Sequence, residues 1–259
     1  MLKLTFLGTA AGVPTKQRNV TALAIECLNP YSSGTNQQQN KKSWPWLLID
    51  CGEGTQHQLL HTKLSLHQLQ AICITHVHGD HCYGLPGLLA SAAMSGRTAP
   101  LILLAPKAIA TLLDALILTT ELHFSFVIKF MAIEDLLSEQ DSKNKAQVTI
   151  SFDNQHQLEI DITPLSHRVP SYGFGINQTI SRCHLDKDKL IADNIPASAL
   201  WGRLQQGEDV MTEDGRKLRS TDYVDNESQR TRVVVAGDND TPECLNNAIA
   251  DADLLIHEA

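Results

Sequence analysis

Short apolar runs recur along the whole chain and predict alternating β-strands and α-helices. The predicted strands are Leu2–Leu7, Asn19–Leu28, Trp46–Asp50, Ala71–Thr75, Leu101–Ala105, Gln147–Phe152, Leu158–Ile162, Val233–Val235 and Leu254–Ile256. Helices are predicted at Leu85–Met94, Pro106–Leu122 and Pro242–Ala250, the second because its apolar residues recur at spacings of three and four. Alternation of strands and helices around buried sheets predicts an α/β layered domain.

Two polar segments interrupt this pattern. Residues 30–45 are rich in Gln and Asn and predict a surface loop, either a tolerated insertion or a binding loop. Residues 176–230 carry many charges, a turn signal at Asp214 and Gly215, and no long apolar run. We expect them to form an arm inserted into a single domain of residues 1–259, and a solvated surface hairpin is the alternative.

Composition narrows the class of protein. The chain has 259 residues, of which 42% are hydrophobic, so it can bury a large core and is not a disordered chain. No run approaches the roughly 20 apolar residues of a membrane span, and the N-terminus lacks the apolar run of a secretory signal. The net charge of −8 does not indicate nucleic-acid binding. Six scattered cysteines without a CxxC pair predict free thiols in a reducing cytoplasm.

The densest chemical signal directly follows the predicted strand Ala71–Thr75. His76, His78, Asp80 and His81 fall within six residues. Imidazole and carboxylate groups are the ligands that zinc and similar ions prefer. A turn at a strand end can point these side chains toward two ions, and paired ions about 3.5–4 Å apart suit phosphoester hydrolysis. A His-rich turn without a metal is the alternative, but so many donors in one place would then need other partners.

This pattern resembles the metallo-β-lactamase superfamily, whose signature is HxHxDH after a strand, and more specifically the ribonuclease Z family, endonucleases that process the 3′ end of tRNA. The PxKxRN and DCGEGTQ segments are the most selective part of the resemblance, which covers essentially the whole chain. The matching segments are Phe6–Thr9, Pro14–Asn19 (PTKQRN), Asp50–Gln56 (DCGEGTQ), Gly84–Leu89 (GLPGLL), Ser166–Arg168, Ser171–Phe174, Gly237–Asp238 and His257–Ala259.

The resemblance implies a set of metal ligands. A first divalent ion would be bound by His76, His78 and His167, and a second by Asp80 and His81, with Asp238 bridging both. Asp80 would also act as the general base for the attacking water. Zinc is the expected metal, and manganese and magnesium remain open. Without the resemblance, His167 reads as an ordinary core histidine and Asp238 as a turn residue.

The resemblance also implies a fold and a substrate. It implies an αββα sandwich with a protruding arm, acting in the cytoplasm as a homodimer in which the arm of one subunit presents precursor tRNA to the other. Candidate RNA contacts are Lys16 and Arg18 near the cleavage site, and Lys187, Lys189, Arg203, Arg216, Lys217 and Arg219 in the arm.

The sequence departs from the family pattern at several points. It has GDND at 237–240 where the family commonly shows GDT, and the arm lacks a Gly-Pro step. The sequence ends at Ala259, before the family's HST segment and its last metal histidine. We therefore expect a truncated chain that lacks the last strand and helix, with His257 and Glu258 as possible supporting residues. If the chain is complete, we expect weak occupancy of the second metal site and reduced turnover.

Two other functions remain open on the sequence. One is a hydrolase of small phosphodiesters, cyclic nucleotides or sulfate esters on the same scaffold. The other is a catalytically impaired chain that binds RNA or a partner subunit.

Overall fold

The structure is a computed structural model. It describes residues 1–30, 44–139, 146–153, 155–212 and 214–257, without the side chains of Cys183 and Asn226. The predicted loop at residues 30–45 lies mostly outside these ranges. No helix in the described part of the chain is long and apolar enough to span a membrane.

Two large β-sheets form the centre of the molecule. The first has six strands, whose spatial order is their chain order: β1 (Leu2–Gly8), β2 (Ala22–Cys27), β3 (Trp46–Ile49), β4 (Leu69–Cys73), β5 (Leu101–Ala105) and β6 (Ile128–Ala132). Strands β1 to β3 pair antiparallel, and β3 to β6 pair parallel. The carboxyl ends of the parallel strands therefore meet at one edge of this sheet.

The second sheet has five strands and is mostly antiparallel. Its spatial order is β13 (Leu254–Ile256), β12 (Val224–Val235), β9 (Ser171–Leu185), β8 (His156–Leu165) and β7 (Gln147–Asp153). Only the contact between β12 and β13 is parallel. The ends of β8 and β12 lead directly into His167 and Asp238.

Helices cover the outer faces of both sheets. The first sheet is covered by α1 (Thr55–Leu59), α2 (Gly79–Cys82), α3 (Leu85–Met94) and α4 (Lys107–Thr120), which contribute buried side chains to its outer core. Helix α5 (Ile133–Ser138) packs beside the core between the sheets. A 3₁₀ turn (Pro242–Leu245) and α9 (Asn246–Ile249) cover part of the second sheet. The result is an αββα sandwich, as predicted.

The alternation of side chains along the strands produces these layers. In β3, Trp46 and Leu48 face the helices, whereas Leu47 and Ile49 face the other sheet, and all four are almost completely buried. Successive strand residues point to opposite faces, so a strand that is apolar throughout must be covered on both sides. That explains why the first sheet lies in the interior.

The arm was predicted to be a charged segment without a core, but in the structure its tip has an apolar core of its own. Strands β9 and β12 pair as far as Leu185 and Val224. Between them, the arm tip (residues 186–223) folds into α6 (Lys187–Ala192), α7 (Ala199–Gln205), β10 (Val210–Met211), β11 (Lys217–Leu218) and α8 (Ser220–Tyr223). It buries its own apolar cluster of Leu190, Ile195, Leu204, Val210, Leu218 and Tyr223. These residues are spread over 34 positions, so no apolar run indicated them.

Candidate metal centre

Residues from three strand ends converge at one edge of the sandwich. His76 and His78 follow β4, His167 follows β8, and Asp238 follows β12. Each of the four offers a ligand atom, and these atoms all lie within 4.8 Å of one another. We call these residues the four-residue cluster. It joins the first sheet to the second, and all its members were predicted as ligands from the sequence.

Distances identify the ring nitrogens that face the centre of the cluster. His76 Nε2 lies 3.0 Å from His78 Nδ1 and 3.7 Å from Asp238 Oδ2. His167 Nε2 lies 3.5 Å from the same carboxylate oxygen. Three nitrogens and one oxygen at such separations match the donor set of a zinc-like ion.

Asp80 and His81 lie beside the four-residue cluster. His81 Nε2 is 3.5 Å from Asp80 Oδ2 and 3.4 Å from Asp238 Oδ1. The other oxygen of Asp238 faces His76 and His167, so this carboxylate stands between the two groups. Gly12 N donates a 2.8 Å hydrogen bond to Asp80 Oδ2 and fixes that carboxylate. The six residues predicted as ligands thus lie together in the structure.

A second set of contacts orients the imidazoles. Asp50 Oδ2 lies 2.7 Å from His81 Nδ1 and also accepts the hydroxyl of Thr75 at 2.9 Å. The Thr75 oxygen lies 3.0 Å from His76 Nδ1. A fixed partner on one ring nitrogen leaves the other as the available metal ligand. These roles of Asp50 and Thr75 were not predicted from the sequence, because the contacts depend on how the turn after β3 packs.

Arg168 makes a contact that opposes metal binding through His78 Nδ1. Its Nη2 lies 3.3 Å from His78 Nε2. A guanidinium only donates, so in this arrangement the imidazole proton of a neutral His78 is on Nδ1. Coordination through Nδ1 would move that proton to Nε2, and the exposed Arg168 side chain would then have to turn away.

The DCGEGTQ turn supports the short helix α2 that carries Asp80 and His81. Cys51 N donates to His81 O, and Gly84 N donates to Cys51 O, each at 2.8 Å. The backbone of Gly52 lies so close to Asp80 that no side chain would fit there. Gly52 therefore allows α2 to pack against the end of β3.

Burial and neighbouring charges shift the pKa values of the buried histidines in opposite directions. Burial, together with the charge of His81, lowers the pKa of His76 to about 4. Burial acts in the same direction on His81, but the neighbouring carboxylates of Asp238, Asp50 and Asp80 outweigh it and raise its pKa to about 11. The site is thus strongly anionic around His81 and favours a bound cation.

Two buried nitrogens support the assignment of a cation site. His81 Nε2 and His167 Nε2 are buried and have no hydrogen-bond partner among the described residues. Buried polar atoms are normally paired, and a lone nitrogen facing a carboxylate is satisfied by a proton or a metal ion. The donor set fits a divalent ion.

Lys16 and Arg18 lie on a loop that is tied to this centre. Asn19 O accepts hydrogen bonds from Thr9 N and Ala10 N at 2.9 Å, and Asn19 Nδ2 donates to Glu53 O at 2.7 Å. The same loop carries Gly12, which binds Asp80. Both cationic side chains are exposed. The loop also lines a cavity of about 290 Å³ through Val13 and Pro14, opposite Glu53, Asp80 and Tyr83.

The six basic candidates of the arm are exposed but differ in their partners. Lys189 Nζ donates to Asp222 O, Arg203 pairs with Glu208, and Lys217 pairs with Asp209. Arg216 donates to Asp193 O. The side chains of Lys187 and Arg219 have no hydrogen-bond or ion-pair partner among the described residues.

The last predicted site residues are only partly described. His257 follows β13 and lines a cavity of about 350 Å³ together with Asp50, Arg18 and Thr9. Its Nε2 is buried without a hydrogen-bond partner among the described residues. Glu258 lies outside the described residues.

Solved structures with the same fold were found by comparison. Human tRNase Z, short form, matches 99% of this chain and 77% of its own length, at 24% identity and a TM-score of 0.57. The long form of RNase Z from yeast matches 99% of this chain and 32% of its own length, at 17% identity and a TM-score of 0.57. The four layers with the His/Asp centre at their edge define a protein of the metallo-β-lactamase fold with a candidate site for divalent metal.

Sequence relatives and a family model show the families to which the chain belongs. Ribonuclease Z from Marinobacter nauticus is 43% identical over 258 residues, which is all of this chain and 72% of the relative. Ribonuclease Z from Pseudomonas putida is 45% identical over the same share of both chains, and that from Shouchella clausii is 37% identical over 74% of its length. A family model described as Anti-Pycsar protein Apyc1 matches residues 2–194. The chain belongs to the ribonuclease Z family and, through residues 2–194, to the family described by that model.

Proposed function

We propose that this protein is a metal-dependent endoribonuclease that removes the 3′ trailer from precursor tRNA. The observation that carries the proposal is the convergence of four imidazoles and two carboxylates at the ends of strands from both sheets. The ribonuclease Z relatives over the full chain support the substrate. Water would attack the phosphorus, leaving a 3′-hydroxyl on the tRNA and a 5′-phosphate on the trailer.

We assign the residues to roles in this reaction. The four-residue cluster would hold one divalent ion, and Asp80, His81 and Asp238 a second, with zinc as the expected metal. When bound, such ions stabilise charge on the phosphate oxygens and lower the pKa of water. Asp80, whose Oδ2 accepts a hydrogen bond from Gly12 N, would take the proton of the attacking water.

The RNA would be bound by cations on two parts of the molecule. Lys16 and Arg18 lie on the loop tied to Asp80, where they can contact phosphates that flank the cleaved bond. Lys187 and Arg219 of the arm tip, which make no hydrogen bond or ion pair with the described residues, could bind the body of the tRNA. A folded tRNA would be bound through its shape and backbone rather than through base edges.

The assembly and the location follow from the same proposal. We infer a homodimer in which the arm of one subunit presents tRNA to the site of the other, and the separate core of the arm tip supports an independent role for it. Multi-angle light scattering during gel filtration tests this. The five described cysteines are free thiols, which supports a reducing, cytoplasmic location.

A cleavage assay tests the proposed function. Wild-type protein with zinc or manganese should cut precursor tRNA once, at the 3′ end of the tRNA, and should do so far faster than it hydrolyses bis(p-nitrophenyl) phosphate. An Asp80→Ala variant should lose roughly 10²–10⁴ in rate, the usual loss for a general acid–base residue. Asp114→Ala, which removes an exposed carboxylate from α4, is the control. Equal rates for Asp80→Ala and wild type, or turnover of the small diester alone, would contradict the proposal.

A further inference from the structure

The loop that follows Asp238 holds the chain that presents His167. Asp240 N donates a 2.7 Å hydrogen bond to Ser166 O, and Asn239 Oδ1 accepts one of 3.2 Å from Ser166 N. Ser166 directly precedes His167, and the loop therefore holds both of its backbone polar groups. The amide nitrogen of Asn239 is also hydrogen-bonded, because Nδ2 donates to Thr241 O at 3.0 Å.

The carboxylate of Asp240 reaches the imidazole of His167 itself. Its two oxygens lie 3.3 Å and 3.4 Å from His167 Nδ1. The opposite nitrogen, Nε2, is the one that faces Asp238 Oδ2 at 3.5 Å. A neutral imidazole carries one proton, and a carboxylate can only accept it. His167 Nδ1 is hydrogen-bonded to Asp240, whereas Nε2 makes no hydrogen bond among the described residues, so Asp240 favours the tautomer with hydrogen on Nδ1 and a free electron pair on Nε2.

We propose that Asn239 and Asp240 position His167 as a metal ligand. Asn239 fixes the backbone in front of the histidine, and Asp240 fixes the tautomer and the direction of the ring. Neither residue touches the substrate in this assignment, so both act through His167. The inference rests on the metal site of the proposed function and adds to it a pair of residues that the proposed chemistry does not use.

The position of Asp240 distinguishes this role from that of an ordinary surface acid. Its side chain is 67% exposed, yet it lies opposite an imidazole that is 17% exposed. The Asp240 amide and the Asn239 side chain also bind the backbone of Ser166, the residue before His167. Asn239 and Asp240 together thus make three contacts with Ser166 and His167, which follow β8. Outer partners of this kind typically change metal affinity by about 10–100-fold when they are removed.

The tautomer can be measured on the protein without metal. Long-range ¹H–¹⁵N correlation spectra, recorded at a pH at which the imidazole is neutral, should show the His167 proton on Nδ1 in the wild type. Asp240→Ala should shift the population toward the Nε2–H tautomer, and Asp240→Asn, which keeps an acceptor oxygen, should shift it less. An unchanged tautomer in Asp240→Ala would overturn the inference.

Metal affinity provides the second readout. Competition with a chromogenic chelator, using Zn²⁺ as the probe, should show about 10–100-fold weaker binding in Asp240→Ala. Asn239→Ala should bind Zn²⁺ more weakly than the wild type, Asp240→Asn should lose less affinity than Asp240→Ala, and Asp114→Ala should match the wild type. The midpoint of thermal unfolding without metal should be the same in all variants.

The outcomes separate this inference from the proposed function. If wild type and Asp240→Ala bind Zn²⁺ equally well, the positioning role is wrong, and the metal site of the proposed function stands. If the wild type itself binds no Zn²⁺, both are wrong. A lower thermal midpoint with an unchanged Zn²⁺ affinity would assign Asn239 and Asp240 a structural role only and would likewise overturn the inference.

Discussion

Three of the four imidazoles at the centre use one ring nitrogen for the site and the other for a fixed partner. Thr75 holds His76, Asp50 holds His81 and Asp240 holds His167. Each contact sets which nitrogen carries the hydrogen, and the other nitrogen is then the metal ligand. At the scale of single residues, the centre is organised before any ion arrives.

Metal uptake should release protons, mainly from His81. Its pKa is raised to about 11, so in the metal-free protein it is protonated at neutral pH. The pKa of His76 is lowered to about 4, so that residue is already neutral. Binding at His81 must displace its proton, and we expect affinity to rise with pH between about 6 and 9 with the release of about one proton. Calorimetric titration in buffers of different ionisation enthalpy measures this, and a proton count near zero would refute it.

Among the elements, three strands of the second sheet share one buried cation. Arg232 on β12 binds both oxygens of Asp161 on β8 at 2.8 Å and Asn177 Oδ1 on β9 at 2.7 Å. It also donates to Ala248 O of α9 at 3.0 Å. One side chain therefore links the strands whose ends carry His167 and Asp238 to the helix that covers them.

Removing this cation should destabilise the fold. Arg232→Ala leaves Asp161 without its charged partner, although Asn177 Nδ2 still donates a hydrogen bond to it. We expect a loss of about 3 kcal/mol in the free energy of unfolding, near the lower end for broken buried pairs because Asp161 is 23% exposed. Arg230→Ala, on the same strand, removes a half-exposed pair with Asp251 and a hydrogen bond to Asn177 Oδ1, an atom that Arg232 still binds. It should cost less, about 1 kcal/mol. Urea denaturation compares the two, and similar losses would contradict this account.

The arm tip should contribute phosphate contacts through its unpaired cations. Lys187→Ala should weaken binding of precursor tRNA and reduce the slope of log affinity against log salt by about one, the signature of one lost phosphate contact. Lys217 is the matched control, since its Nζ already lies 3.2 Å from Asp209. Fluorescence anisotropy at several salt concentrations measures both variants. If Lys217→Ala reduced the affinity and the salt slope as much as Lys187→Ala, the absence of an ion-pair partner would not determine which lysine contacts the RNA.

For the whole molecule, the centre acts as a link between the two sheets. His76 and His78 belong to the first sheet, and His167 and Asp238 to the second. An ion bound by all of them would stabilise the folded state only, because the unfolded chain does not bring them together.

Chelation should therefore lower the thermal stability of the protein. With free metal at about 100 times its dissociation constant, bound metal adds about 2.7 kcal/mol. For a chain of this size that corresponds to roughly 5–10 °C in the unfolding midpoint. Differential scanning calorimetry with and without EDTA measures the shift, and His167→Ala should show a smaller one. An identical shift in wild type and His167→Ala would contradict the claim that the bound ion connects the two sheets through His167.

The sequence predicted the parts of this molecule that local patterns encode. The HxHxDH run places His76, His78, Asp80 and His81 without any knowledge of the fold. His167 and Asp238 lie far away along the chain, so they were recognised only through the family resemblance. The partners Asp50, Thr75 and Asp240 were not predicted, because their contacts arise when the two sheets pack and the loops after the strands meet. The core of the arm tip was missed because its apolar residues are spread over 34 positions and form no run.

The central claim is that the four-residue cluster binds a divalent ion, and anomalous X-ray diffraction at the zinc edge tests it most directly. Crystals grown with zinc should show an anomalous peak about 2.0–2.2 Å from His76 Nε2, His78 Nδ1, His167 Nε2 and an oxygen of Asp238. Clear density for these side chains with no peak among them, in crystals supplied with zinc, would contradict the account.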